Sequence, residues 1–285
     1  MSKPVYLWMP QWQGSPSSRA MQLIDGAHAL SEDLPSRARH DIAVPDKAGD
    51  ALGTPVARLS SVLAARDAAL EVHGSVAEPA ITLGGDTSTS LAGLEAAVRA
   101  HGDELAVLWC DADAGLEHPS TSASGAAACM TLRHALGDGV ADLMFSHPLS
   151  PAAVTLVGAR DLDADELAEI ERRGLATIDV GPDGVDGPDA LAERIRERLT
   201  ETGATHLYVH VGLGILDPAE FSSVHSQLPF GVTVAELTAA IRAAVGALQL
   251  SGADITEFAP SSESAAAEDL PTVLRILAAV TSTAS

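Results

Sequence analysis

Short apolar runs alternate with longer amphipathic stretches along the whole chain. The strand-like runs are Val5–Met9, Ile42–Val44, Ala80–Leu83, Leu105–Cys110, Ala153–Val157, Ala176–Val180, His206–Val211 and Asp254–Phe258. Most are rich in Val, Ile and Leu with little polar alternation, as befits strands covered on both faces. Helical patterns lie between them, at Ser17–Leu30, Pro55–Val72, Ser90–His101, Ala127–Leu136, Ala164–Arg173, Pro188–Thr202, Val234–Leu248 and Asp269–Val280. Asp163-Ala-Asp-Glu places acids in a first turn, and Thr233-Val-Ala-Glu has capping-box spacing. Pro271 suits the first turn of the last helix. This alternation predicts one doubly wound or barrel-like α/β domain over residues 1–285. No repeat and no dividing linker interrupts it, and the loops Gly181–Pro188 and Ala259–Glu268 read as surface connections. Ligands of open α/β sheets sit outside the carboxyl ends of the strands. Candidate chemistry therefore belongs in Gly84–Thr89, Asp111–Gly125, Gly212–Pro218 and Glu257–Pro260.

Composition narrows the function classes. The hydrophobic fraction, 46%, is too high for a disordered chain, and 285 residues are enough to bury a proper core. Acidic residues number 39 against 17 basic ones, a formal net charge of −22 that repels phosphate backbones and anionic lipid. Nucleic-acid and membrane partners are accordingly not expected. Lys3 and Lys47 are the only lysines. Codon bias in a high-GC genome explains this better than salt adaptation, because large aliphatic residues are not depleted. Cys110 and Cys129 sit in apolar surroundings and read as small buried hydrophobes, with neither zinc-type spacing nor a disulfide framework. The N-terminal apolar run is too short for a signal peptide and no long uncharged apolar stretch occurs, so a cytoplasmic protein is expected. Phosphate loops, nucleophile elbows and catalytic Cys/His patterns are absent from the sequence.

Four segments carry a pattern of another kind. They are Gly84-Gly85-Asp86-Thr87, Asp111-Ala112-Asp113-Ala114-Gly115, the run from Pro119 through Ser122, Ser124 and Gly125 to Met130, and His210-Val211-Gly212-Leu213-Gly214 continuing to Asp217-Pro218. Gly158–Asp163, Pro229–Thr233 and Glu257 add support. In this order and at these spacings the set resembles the ureohydrolase family of arginases, agmatinases and formimidoylglutamases, over nearly the whole chain. The resemblance implies a three-layer arginase-like α/β fold with a mostly parallel sheet of about eight strands. It also implies hydrolysis of guanidino or amidino C–N bonds by a hydroxide bound to two manganese ions, held by two His and four Asp.

Position by position, most of those ligands are missing. The first His position is Thr87, and the Asp-Ala-His-x-Asp trio is Asp111, Asp113 and Gly115. The late Asp pair is Gly212 and Gly214, the proton-shuttle His falls at Ala128, and a substrate-contacting Asn falls at Ala126. Scaffold letters such as Gly84, Gly85, Ser122, Gly125, Asp217 and Pro218 stay. Two carboxylates alone make at best a weak, solvent-like site for a hard divalent ion. No cofactor is therefore expected, and no catalytic residue beyond the substrate-side position Glu257. Restoring the missing side chains should bring back metal affinity, because strand ends set ligand geometry.

Asp111 and Asp113, two apart at a strand end, share a face. They are either the remnant of a metal site or loop acids that cap turns or meet an arginine. His210 shares the face of Gly212 and Gly214; it could reach Asp111 as a replacement ligand, although a hydrogen-bonded core histidine is preferred. Glu257 matches the family's guanidinium-binding Glu and receives a cation or pairs with Arg160. Glu117, His118 and His225 match no ligand spacing and read as surface loop residues. Trp109 reads as core, whereas Trp12 lines a pocket or packs against a neighbouring subunit or helix. The expected function is thus a ureohydrolase-like pseudoenzyme with a binding, regulatory or assembly role. Its partners would be a small guanidino-type ligand and either itself, as a homo-oligomer, or an active paralogue. The competing class is an active hydrolase with manganese in a rearranged site around Asp111, Asp113, His210 and Glu257. A purely structural subunit is the third class, and fold alone does not choose among them.

Overall fold

The computed structural model describes residues 3–35, 38–181, 184–185 and 187–282. Its strands are β1 (Val5–Trp8), β2 (Arg39–Asp41), β3 (Ala80–Leu83), β4 (Leu105–Cys110), β5 (Val154–Val157), β6 (Ala176–Ile178), β7 (His206–Gly212) and β8 (Gln249–Thr256). The helices are α1 (Gln22–Ser31), α2 (Leu59–Ser75), α3 (Ser90–His101), α4 (Thr131–Ala135), α5 (Ala164–Arg173), α6 (Pro188–Thr202), α7 (Val234–Ala247) and α8 (Glu263–Val280). The strands form one sheet in the order β2-β1-β3-β8-β7-β4-β5-β6, and every pairing is parallel.

Alternation along the strands builds three layers. In β4, Ala106, Leu108 and Cys110 join Leu30, Ile195, Ile241 and Ile276 of α1, α6, α7 and α8 on one face. Leu105, Val107 and Trp109 join Leu59, Val62, Leu91, Leu94 and Leu132 of α2, α3 and α4 on the other. Covering both faces is what makes the strand sequences almost uniformly apolar. The expected three-layer architecture is thus the observed one. Among the described residues no helix is long and apolar enough to cross a membrane.

Several boundaries depart from expectation. The second strand is Arg39–Asp41, ahead of the apolar triplet Ile42–Val44. It is an edge strand, where an Arg39–Asp41 ion pair can face solvent. The last strand begins at Gln249 and ends at Thr256, because Glu257 leaves extended geometry with φ +71°. The last helix begins at Glu263, capped by Ser262, so Pro271 lies inside it rather than in its first turn. The Ala127–Leu136 pattern becomes a 3-10 turn, Ala128–Met130, followed by the short α4. Of the Gly181–Pro188 loop, residues 182, 183 and 186 lie outside the described residues.

Candidate functional site

The strand order sets β3, β8, β7 and β4 side by side, so the four stretches singled out along the sequence meet at one edge of the sheet. Their ends open on a cavity of about 450 Å³ whose wall includes Thr87, Asp111, Asp113, Glu117, Glu166 and Glu257. Asp111, Asp113 and Glu257 thus come together, with β7 between the strands that carry them.

The turn after β3 needs its glycines. Gly84 and Gly85 have φ of +89° and +84°, and a Cβ on Gly85 would press against the carbonyl oxygens of Met9 and Gln11. Asp86 follows, fully buried, and accepts hydrogen bonds from the Gly14 N–H, the Ser88 N–H and the Ser88 hydroxyl at 2.9, 2.9 and 2.5 Å. It ties the first loop to the third strand, and burial raises its pKa against those bonds. Thr87 then points at the cavity and donates from Oγ1 to Glu257 Oε1 at 3.2 Å.

At the end of β4, Asp113 Oδ1 accepts the Gly115 N–H at 2.7 Å. Burial, reinforced by the charge of Asp111, pushes the Asp113 pKa well up. Glu257 is pushed up to about 8 by burial and then by Asp111. Glu166, which accepts the backbone N–H of Leu116 at 3.2 Å, is pushed up to about 7 by burial. Carboxyl groups withdrawn from water in one another's company each favour the protonated form.

His210 sits in the sheet, not in the cavity wall. Its register places it between Trp109 of β4 and Asp254 of β8. The ring stacks on Trp109 at 3.7 Å, Nδ1 meets Asp254 Oδ1 at 2.5 Å, and Nε2 meets Asp111 Oδ2 at 3.2 Å. Asp254 also accepts the Tyr208 hydroxyl at 2.9 Å. Burial alone would lower the His210 pKa, but the two carboxylates outweigh it and hold the pKa at about 10. His210 is therefore a hydrogen-bonded core residue whose ring also meets Asp111.

The two late glycines differ sharply. A Cβ at Gly212 would fall within 3.0 Å of the Asp111 carboxyl carbon and both its oxygens. A Cβ at Gly214 would have only Glu257 Oε2 at 3.7 Å and Asp111 Oδ1 at 3.8 Å for neighbours. Gly115 has φ +65°, and its Cβ would lie 3.2 Å from the Leu132 nitrogen. Ala126 and Ala128 are buried and carry no polar side chain.

Other expectations need correction. Glu257 does not pair with Arg160, whose guanidinium donates instead to the carbonyls of Gly158, Gly214, Ile215, Leu228 and Pro229. Glu117 and His225 are not plain surface residues, since both line the cavity and Glu117 Oε2 is buried without a hydrogen-bond partner. His118 faces Asp138 at 3.5 Å instead. Trp12 is half-buried beneath the Arg58 guanidinium, 5.2 Å from its ring centroid. Sequence reasoning missed Glu166, Asp161, Asp163 and Asp254. Asp161 and Asp163 lay in the Gly158–Asp163 segment already singled out, whereas Asp254 stood at the first position of its expected strand and carried no signal of burial.

The donor set does not fit a dinuclear manganese site of the family's kind. Thr87, Gly115, Gly212 and Gly214 supply no carboxylate or imidazole. Asp111 is engaged by His210, and its carboxylate fills the space that a side chain at 212 would enter.

The model of the Arginase family matches residues 17–279. An arginase of Staphylococcus aureus is 28% identical over 182 residues, 63% of this chain, which spans about 60% of that relative's length. The N(omega)-hydroxy-L-arginine amidinohydrolase of Streptomyces lavendulae is 26% identical over 92% of both chains. Among solved structures, Entamoeba histolytica arginase superposes with a TM-score of 0.84 at 20% identity over 98% of both chains. Bacillus subtilis arginase gives 0.80 at 22% identity over 99% of both. The expectation of no cofactor is overturned by this kinship, since family members are dinuclear manganese enzymes and the matched relatives bear arginase names; the misfit above concerns only the family's own set of ligands. With the family model spanning nearly its whole length, the chain belongs to the arginase family.

Proposed function

We propose that this arginase-family chain binds a small cationic guanidino or amidino compound in the acidic cavity and does not hydrolyse it by the family's dinuclear route. The observation that carries the reading is the engagement of Asp111 by His210, with its carboxylate in the space a ligand at 212 would need. A planar guanidinium is a natural match for paired carboxylates. Glu257, backed by Thr87, receives one edge of it, and Asp113 and Glu117 offer further acceptors around the same space. Burial of these acids makes an incoming cation more valuable than it would be in water. The role that follows is binding or regulation.

A second reading is hydrolysis at a rearranged site. It is favoured by one observation: Glu257 and Asp113 both hold their protons more tightly than ordinary carboxyls, as general acids do. Calorimetric titration with agmatine and L-arginine, run beside urea-release assays with and without added Mn²⁺, separates the two. Saturable binding without urea release in either condition supports the binding protein. Steady turnover that Glu257→Gln abolishes would establish the hydrolase instead.

A further inference from the structure

A second cavity, of about 570 Å³, opens at the opposite edge of the sheet, where β1, β3, β7 and β8 begin. One wall is the face of α3 that carries the small residues Gly93, Ala96, Ala97 and Ala100. Val76, Pro79, Val245, Leu250 and Val280 continue an apolar lining. The polar lining is far less acidic than the chain as a whole. Among the described lining residues, Lys3, His73, His101 and His206 outnumber Glu78, the one Asp or Glu there, in a protein with 39 acids and a net charge of −22. His101 and His206 stack with ring centroids 3.7 Å apart. His73 Nε2 is buried without a hydrogen-bond partner. A buried polar atom left unpaired is costly, and a ligand atom that met it would recover that cost.

We infer that this cavity is a binding site for a small monocarboxylate with an apolar body. Apolar walls select a hydrocarbon body, while imidazole N–H groups and an ammonium select an acceptor that carries negative charge. Among the described lining residues Lys3 is the one permanent cation and Glu78 stands beside it in the same lining, so the charge there matches at most a single carboxylate and not a phosphate dianion. The field of the whole chain disfavours multivalent anions further. The site is independent of the acidic cavity across the sheet.

The test uses benzoate and hexanoate as probes, with benzamide and hexanamide as neutral isosteres and inorganic phosphate as a multivalent control. Calorimetry and thermal melts are run on the full chain and on the variants His73→Gln, Ala96→Leu and Glu257→Gln. At least one acid should bind about tenfold more tightly than its amide. Ala96→Leu, which fills the cavity, and His73→Gln should each weaken it by about tenfold or more, and Glu257→Gln should leave it unchanged. Should His73→Gln fail to fold, Ala96→Leu carries the comparison. The inference is overturned if neither acid binds, if acid and amide bind alike, if phosphate binds as well as the acids, or if binding responds to Glu257→Gln and not to Ala96→Leu.

Discussion

Gly212 closes β7 and Gly214 lies in the turn that follows, and a methyl group would meet quite different surroundings at each. At 212 it would displace the Asp111 carboxylate and with it the bond from His210. Gly212→Ala should therefore destabilise the fold by about 1–3 kcal/mol, read by chemical denaturation. Asp111→Ala in the same chain should remove most of that cost. Gly214→Ala, with nothing nearer than 3.7 Å, should stay within about 0.5 kcal/mol of the parent. These contrasts revise the idea that restoring missing ligands is a matter of side chains alone. Position 214 has room; 212 is blocked by Asp111, and 115 is held at positive φ against Leu132. Nothing in the one-dimensional pattern distinguished these glycines, because what separates them is the rotamer of a residue about a hundred positions away.

Elements show where local pattern sufficed. Ala80–Leu83 and Leu105–Cys110 are central, sheathed on both faces, and their boundaries were legible in unbroken aliphatic runs. The β2 edge strand was not, since a strand half in water has no reason to be apolar. Likewise Gln249–Gly252, the polar start of β8, lines a cavity rather than the core. Helix α5 opens with a full capping box: Asp163 accepts the Glu166 N–H at 2.8 Å, and Glu166 accepts the Asp163 N–H at 3.1 Å. Because burial raises the folded-state pKa of Glu166 to about 7, its proton is held more tightly folded than unfolded. Its contribution to stability is then complete below about pH 4.5 and is lost as pH rises through about 7. Glu166→Gln should flatten that part of the melting-temperature profile, and an unchanged profile would place the titration elsewhere. In α8, Pro271 is exposed in the helix interior, where its ring removes one ladder bond. Pro271→Ala should raise stability by about 1–3 kcal/mol in a denaturant titration, less whatever the looser unfolded chain takes back.

At the scale of the molecule, the sheet order does what no motif scan could. It interleaves β8 and β7 between β3 and β4, so residues from four distant stretches of sequence share one cavity. The resemblance named most of those stretches, but not that Glu166 and Glu117 would complete the wall. A net charge of −22 on 285 residues leaves much of the surface self-repelling. Raising the ionic strength should therefore raise the Tm, and a flat response would mean that the charges are already spaced beyond one another's reach.

The bond between His210 and Asp111 also orders events in time. Seen as steps through sequence space, a carboxylate cannot return at 212 while Asp111 lies against that strand, and Asp111 lies there beside a histidine held by Asp254 and stacked on Trp109. Asp111 or the histidine has to move first, and loss of the histidine leaves the buried Asp254 with only the Tyr208 hydroxyl. Reversion at 212 is thus uphill on its own. A lineage carrying this arrangement is held in it by a ratchet made of one imidazole and one missing methyl group.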